Sequence, residues 1–225
     1  MRQEFSQELD NLHKSFSELG MMVNEAIYKS VKAFVKHDKQ IAHEVIDNDY
    51  KINDAQVALE KHCFELIALQ QPVTSDLRAV VTAMKASSDL ERMGDHAVSI
   101  SKSTIRVKGN ERVPEIEDTL AQMADAVKKM SDEALEAYVH SDPASARRIS
   151  EADHQINDFE RKVYRLCIEN MQKDPDTVVG AMDYQLVASY LERIGDYVTN
   201  ICEWVVYLAT GKLVELNSSA EEDKF

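Results

Sequence analysis

The stretch Leu90-Glu91-Arg92-Met93-Gly94-Asp95 returns as Leu191-Glu192-Arg193-Ile194-Gly195-Asp196, 101 residues further on. A segment of that length recurring once at such a distance marks an internal duplication when the flanking sequence recurs with it. It does. Ala33-Phe34-Val35-Lys36-His37-Asp38 matches Ala137-Tyr138-Val139-His140-Ser141-Asp142 at an offset of 104, and Asp49-Tyr50-Lys51-Ile52-Asn53-Asp54 matches Asp153-His154-Gln155-Ile156-Asn157-Asp158 at the same offset. Cys63 and Cys167 also correspond. The smaller offset of the last element implies a shorter connection between the second and third elements of the second copy.

Each copy reads as helical. Apolar residues recur at steps of three and four, and Pro72, Pro114, Pro143 and Pro175 all fall between periodic segments. Gly109 and Gly211 follow two of those segments, as helix C-terminal glycines do. Asp142-Pro143 is a helix start, an N-cap acceptor followed by Pro at the first helical position, and Ser75 before Asp76 is a similar cap. The pattern predicts helices at about 4–36, 39–70, 75–107, 114–140, 143–173 and 176–210. The expected fold is all-α, two tandem three-helix bundles related by duplication. The bundles would span residues 1–109 and 110–225, with the joint at 107–114 and an acidic frayed tail from Ser218 to Phe225.

Composition removes several classes of function. Forty acidic against 26 basic residues leave a net charge of −14 in 225 residues, so no general positive field attracts nucleic acid or anionic lipid. The charged N-terminal residues, Met1 to Glu8, contain no signal-peptide apolar region. The longest uncharged run, Leu66 to Ser75, is far below the roughly 20 apolar residues of a spanning helix. An intracellular protein without a membrane span is expected. Cys63, Cys167 and Cys202 are odd in number, lack CxxC spacing and lie in apolar helical patterns, which predicts reduced core residues without chemistry.

The candidate chemistry lies in repeated acids. Glu91 and Asp95 are four apart on a helix, as are Glu192 and Asp196, and like charges at that spacing cost about 0.2–0.5 kcal/mol unless compensated. No basic residue stands three or four positions from Glu91 or Glu192. A glycine separates the acids in both copies, although Gly inside a helix costs roughly 0.5–1 kcal/mol relative to Ala, so something approaches that face closely. A neighbouring helix or a bound ion would do. In the second helices, Asp49 falls in the stripe Val45, Ile52, Gln56, Leu59, Cys63, Leu66, and Asp153 in the stripe Ile149, Ile156, Glu160, Val163, Cys167. A carboxylate in such a stripe needs a cation, a hydrogen-bond network or water. With Asn53 and Asn157 one turn on, each repeat can gather an oxygen-rich set suited to a divalent cation or to an iron or zinc cluster. The same spacing also allows a solvated face on which Arg92 and Arg193 bridge to Asp95 and Asp196.

At Leu90-Glu91-Arg92-Met93-Gly94-Asp95-His96 and Leu191-Glu192-Arg193-Ile194-Gly195-Asp196-Tyr197 the chain closely resembles the PhoU family of phosphate-signalling proteins, whose signature is a duplicated ERxGD within E(D)xxxD. Thr74-Ser75-Asp76-Leu77-Arg78, the Asp49 and Asp153 motifs, Asn200-Ile201-Cys202-Glu203 and Gly211-Lys212 fit as well, so the resemblance covers nearly the whole chain. It implies a cytoplasmic all-helical accessory protein of the phosphate-specific ABC transporter. Such a protein couples the transporter's ATPase subunit to a sensor histidine kinase and so restrains phosphate uptake and starvation genes. It also implies multinuclear iron or zinc on the E(D)xxxD faces, and a homodimer. Carried over, Glu91, Asp95, Glu192 and Asp196 are the metal-ligand candidates, with Asp49 and Asp153 from the facing helices and Asn53 and Asn157 beside them. The asparagines stand where some members have Asp, and Asp89 is matched by Tyr190, so the two sites need not be equivalent. By the same analogy Asp76-Leu77-Arg78-Ala79-Val80 would dock on a membrane-associated partner.

No nucleophile–base pair or Gly-rich phosphate loop is present in the sequence, so an enzyme is not expected. Glu151-Ala152-Asp153-His154 is a Glu-x-x-His of the kind that ferritin-like di-iron proteins use, but His154 is matched by Tyr50 in the first copy. A metal-free helical scaffold is the other alternative.

Overall fold

Asp38 and Asp142 turn the chain in the same way at equivalent points of the two copies. Each carboxylate Oδ1 accepts from two backbone N–H groups of the helix it opens, those of Gln40 and Ile41 at 2.9 and 3.1 Å and those of Ala144 and Ser145 at 2.9 and 3.1 Å. Each backbone N–H in turn closes the preceding helix, bonding to Ala33 O at 2.8 Å and to Ala137 O at 2.9 Å. The residue between, His37 or Ser141, takes the left-handed conformation with φ of 54° or 48°. One residue thus ends one helix through its backbone and starts the next through its side chain, which makes each corner tight.

The computed structural model describes residues 2–106 and 112–216. Its helices are α1 (Arg2–Lys36), α2 (Lys39–Gln70), α3 (Thr74–Arg106), α4 (Pro114–His140), α5 (Pro143–Ser150), α6 (Asp153–Lys173) and α7 (Val178–Thr210), with a 3-10 turn at Pro175–Thr177. No strand occurs among the described residues. The all-α duplicated fold expected from the sequence is what the chain adopts, with α1–α3 forming one bundle and α4–α7 the other. Gly211 ends α7 at φ 73°, as its position in the sequence suggested. Gly109, most of the expected joint and the tail from Ser218 lie outside the described residues.

The predicted helix 143–173 is broken. Glu151 and Ala152 keep right-handed backbone angles, but Ala152 N–H bonds to Ile149 O and Gln155 N–H to Ala152 O, each at 3.0 Å and each three residues back. The last turn of α5 tightens toward 3-10 geometry, and α6 begins again at Asp153. In the first copy α2 runs unbroken through the matching positions. Asp49 is therefore in mid-helix, while Asp153 stands in the first turn of α6, where the helix dipole favours a negative charge.

The bundles join through two antiparallel helix pairs. Along α1 and α4, Asn24 Nδ2 donates to Asp132 Oδ1 and Ser131 Oγ donates to Asn24 Oδ1, both at 2.6 Å, while Phe16 packs on Tyr138 with ring centroids 4.0 Å apart. Along α3 and α7, His96 stacks on Tyr190 and Tyr197 at 5.6 and 5.8 Å, and Arg106 pairs with Asp183 at 3.3 Å. One continuous apolar core, running from Leu12 through Met93 and Met123 to Val206, lies between them. Full burial of each such side chain contributes about 1.5–3 kcal/mol. All three cysteines are free and buried, as expected.

Candidate acidic sites on the two repeats

In each bundle an aspartate and an asparagine one turn apart, on α2 or α6, bond to one another beside the packed third helix. Asn53 Nδ2 donates to Asp49 Oδ2 at 3.1 Å, and Asn157 Nδ2 donates to Asp153 Oδ2 at 3.2 Å. The glycines explain how the helices come this close. A Cβ on Gly94 would stand 3.3 Å from Cδ1 and Cγ2 of Ile52, and one on Gly195 would stand 3.0 Å from Asp153 Oδ1. Helix contact is thus the direct reason for both glycines, and in the second repeat the contact is with a candidate ligand itself.

The carboxylates influence one another. Burial and then the nearby Asp95 charge raise the Asp49 pKa, partly offset by the Asn53 hydrogen bond. Glu91 is raised by burial, then by Asp95 and Asp49. Glu192 is pushed up to about 7 by burial, followed by Asp196, Glu160 and Asp153. Asp49 Oδ1 and Asn53 Oδ1 are buried and have no hydrogen-bond partner among the described residues. Beside Asp49, a cavity of about 200 Å³ opens between α1, α2 and α3. Lys29 and Lys51 line this cavity. Lys29 is held by Glu25 and Glu44 at 2.9 and 2.6 Å, and the charge of Lys102 offsets only part of the rise in the Asp49 pKa.

Buried oxygens without donors, and acids that raise one another's pKa, are the chemistry that a hard cation satisfies. The side chains as they stand do not close around one point: no group of three or more His, Cys, Asp or Glu among the described residues is placed to hold a metal ion. The donor types fit; the ligand shell is not assembled.

The structure adds one acid to the second group. Glu160, raised in pKa by burial, lies close enough to act on Glu192, and its counterpart in the first copy is Gln56. The apolar stripe of the second helix had included both, and the Glu-for-Gln difference was the available signal. The arginine of the first repeat does not bridge to Asp95; its guanidinium carbon lies 5.9 Å from the Tyr197 ring centroid, across the seam between the bundles. The Asp89 carboxyl is buried against Asn200 and Trp204 of α7, and burial pushes it up to about 6. Glu151 and His154 are both exposed, so the single Glu-x-x-His points away from the bundle core. Of the segment expected to dock, Ala79 and Val80 are buried, and Arg78 lies against Gly211, where an added Cβ would be 3.5 Å from Nη1. A cation beside the C-terminus of α7 is well placed, which accounts for an arginine that gains little at the start of α3.

Duplicated three-helix bundles carrying matched acidic faces define a class of all-helical repeat proteins, and comparison places this chain within it. Residues 16–104 and 120–205 each match the PhoU domain, and the chain belongs to the PhoU family. A phosphate-specific transport system accessory protein PhoU homolog of Streptococcus pneumoniae serotype 4 is 39% identical over 217 residues, covering 96% of this chain and 100% of the relative. A homolog of the same description from Clostridium acetobutylicum is 36% identical, covering 96% and 99%. The crystal structure of the phosphate transport system regulatory protein PhoU from S. pneumoniae superposes with a TM-score of 0.87 at 36% identity, over 94% of this chain and 99% of the other. That of PhoU from Pseudomonas aeruginosa gives 0.87 at 28% identity, over 92% and 100%.

Proposed function

We propose that this protein is a cytoplasmic accessory and regulatory adaptor of a phosphate-specific ABC transporter. It would couple the transporter's ATPase subunit to a sensor histidine kinase and restrain phosphate uptake and the phosphate-starvation response, acting as a homodimer and without enzymatic activity. The observation that carries this reading is the two-domain match, in register, to relatives described as phosphate-transport accessory proteins over nearly their whole length. No helix among the described residues is long and apolar enough to cross a membrane, so attachment to a transporter would run through a partner. Deletion of the gene should raise uptake of radiolabelled phosphate and derepress phosphate-responsive transcription. Unchanged uptake and unchanged transcription would refute the adaptor role.

The acidic faces would bind a divalent cation, or a multinuclear iron or zinc centre, through Asp49, Asn53, Glu91 and Asp95 in one repeat and Asp153, Asn157, Glu192 and Asp196 in the other. The orphaned Asp49 and Asn53 oxygens support this. Bound metal would supply the positive charge that the clustered carboxylates lack. Elemental analysis of protein purified without chelator or His-tag tests it. Equal, near-zero metal in the wild type and in Glu91→Ala/Glu192→Ala would favour the metal-free scaffold.

A further inference from the structure

α2 packs on α1 and α3 through Val45, Ile52, Leu59, Cys63 and Leu66, and the other side of the helix faces solvent. On that side Tyr50, Val57 and Phe64 stand at seven-residue intervals, 58%, 61% and 57% exposed. Asp54, Lys61 and Ala68, also exposed, fall between them, so the positions alternate in steps of four and three. A seven-residue repeat of large apolar side chains along an exposed helix is the pattern of a helix–helix seam, and here all three side chains are left more than half exposed.

The duplication shows that the pattern is not a by-product of the fold. The matching positions in α6 carry His154, Arg161 and Ile168, so an arginine stands where the first copy has Val57. Of the two matched helices, α2 carries the apolar line and α6 does not.

The charges identify the occupant. Asp54 and Lys61 lie at nearly equal distances on either side of Val57 and Ala58. Two copies of α2 laid parallel in register would set Asp54 on Asp54 and Lys61 on Lys61. Laid antiparallel about a two-fold axis near Val57 and Ala58, they set Asp54 of each copy beside Lys61 of the other. The same rotation sets Tyr50 of each beside Phe64 of the other. Among the described residues Asp54 makes no ion pair, and Lys61 reaches Glu65 at 3.8 Å with both side chains largely exposed, a contact that costs little to give up. A face complementary to itself under a two-fold rotation closes on a second copy and stops there.

We propose that the outer face of α2 is the seam of an antiparallel homodimer, with Tyr50, Val57 and Phe64 forming its apolar line and Asp54 and Lys61 setting its direction. The proposal rests on the dimer included in the function above and assigns it a surface.

Sedimentation velocity over a concentration series tests it, with circular dichroism confirming that each variant is folded. Val57→Arg should leave a monomer at concentrations where the wild type is a dimer. Asp54→Lys and Lys61→Asp should each raise the dimer Kd by roughly tenfold or more, since like charges then face each other twice. The double variant Asp54→Lys/Lys61→Asp should restore affinity to within about twofold of wild type, because the pairs are re-formed in reverse. A wild-type dimer indifferent to all these changes would overturn the seam while leaving the dimer standing. A wild-type monomer at every concentration would overturn both. Failure of the double variant to recover would overturn the antiparallel pairing.

Discussion

Tyr184 Oη on α7 donates to Glu117 Oε1 on α4 at 2.8 Å, and the same carboxylate accepts from Arg112 and from His37. Arg112 also donates to Val35 O, and Val113 N–H donates to Tyr184 Oη. A carboxylate only 4% exposed thus fastens the end of the inter-repeat connection to the α1–α2 corner of one bundle and to the long third helix of the other.

Glu117→Ala is expected to destabilise the protein by about 1–3 kcal/mol, because it leaves the buried Tyr184 hydroxyl without its acceptor, while the more exposed Arg112 and His37 can turn to water. Burial alone would raise the Glu117 pKa, but the bonds from Arg112, His37 and Tyr184 outweigh it and hold it below the ordinary value. A carboxylate depressed on folding stabilises above its unfolded pKa, and that contribution is lost as pH falls through the folded value. The stability gap between wild type and Glu117→Gln in urea unfolding should therefore be widest near neutral pH and shrink below the normal carboxylate range. A gap that widens on acidification would show that the ion pair is not the source.

Gly94→Ala should be destabilising even though alanine is the better helix former. The helix gains up to about 1 kcal/mol, but a Cβ at 3.3 Å from two atoms of buried Ile52 forces overpacking that costs about 1–3 kcal/mol. Gly195→Ala meets Asp153 Oδ1 at 3.0 Å and should also displace that carboxylate. Thermal unfolding of the two variants checks this, and a higher Tm in either would mean that the helices part without cost.

If the acidic faces bind a divalent cation, saturating metal should stabilise the fold, since the unassembled ligands of the unfolded chain bind less well. At a free concentration about 100 times Kd the gain is about 2.7 kcal/mol, or a Tm rise of roughly 5–10 °C. The Glu91→Ala/Asp95→Ala/Glu192→Ala/Asp196→Ala variant should show no such rise. Asp49→Asn should unfold at a higher temperature than wild type in chelator, because it removes a carboxylate that burial and Asp95 disfavour, and should respond less to metal. Equal responses in all three proteins would place the metal elsewhere.

The thiols should be inert in the native state. Burial is the leading cause that pushes Cys63 up to about 12, Cys167 to about 11 and Cys202 to about 12. A disulfide thiol reagent at neutral pH should titrate none of them until denaturant is added, and then all three. Rapid reaction of one thiol in native protein would mark a local opening around it.

The fold was legible because its determinants are local and were written twice. Apolar spacing, four prolines, the Asp38 and Asp142 caps and the repeated Glu-Arg-x-Gly-Asp segments set helix type, most boundaries and the duplication, since each acts within about one turn of itself. The break at Glu151-Ala152 was not legible, because right-handed residues persist there and only the hydrogen-bond partner shifts from four residues back to three. Gly94 and Gly195 announced a close approach, but what approaches depends on which residue the facing helix presents: Ile52 in one case, Asp153 in the other. The acids were likewise named in advance. Their effect on one another, the addition of Glu160 and the orphaned oxygens of Asp49 and Asn53 follow from how α2 and α6 lean on α3 and α7. The sequence by itself determined the helices, their duplication and the supply of oxygen ligands, through interactions a few residues long. Only the tertiary structure decided that Arg92 reaches Tyr197 instead of Asp95, that Glu117 fastens the two bundles, and that one face of α2 is left uncovered. Each of these turns on a distance between residues far apart in the chain, which packing sets and local periodicity cannot.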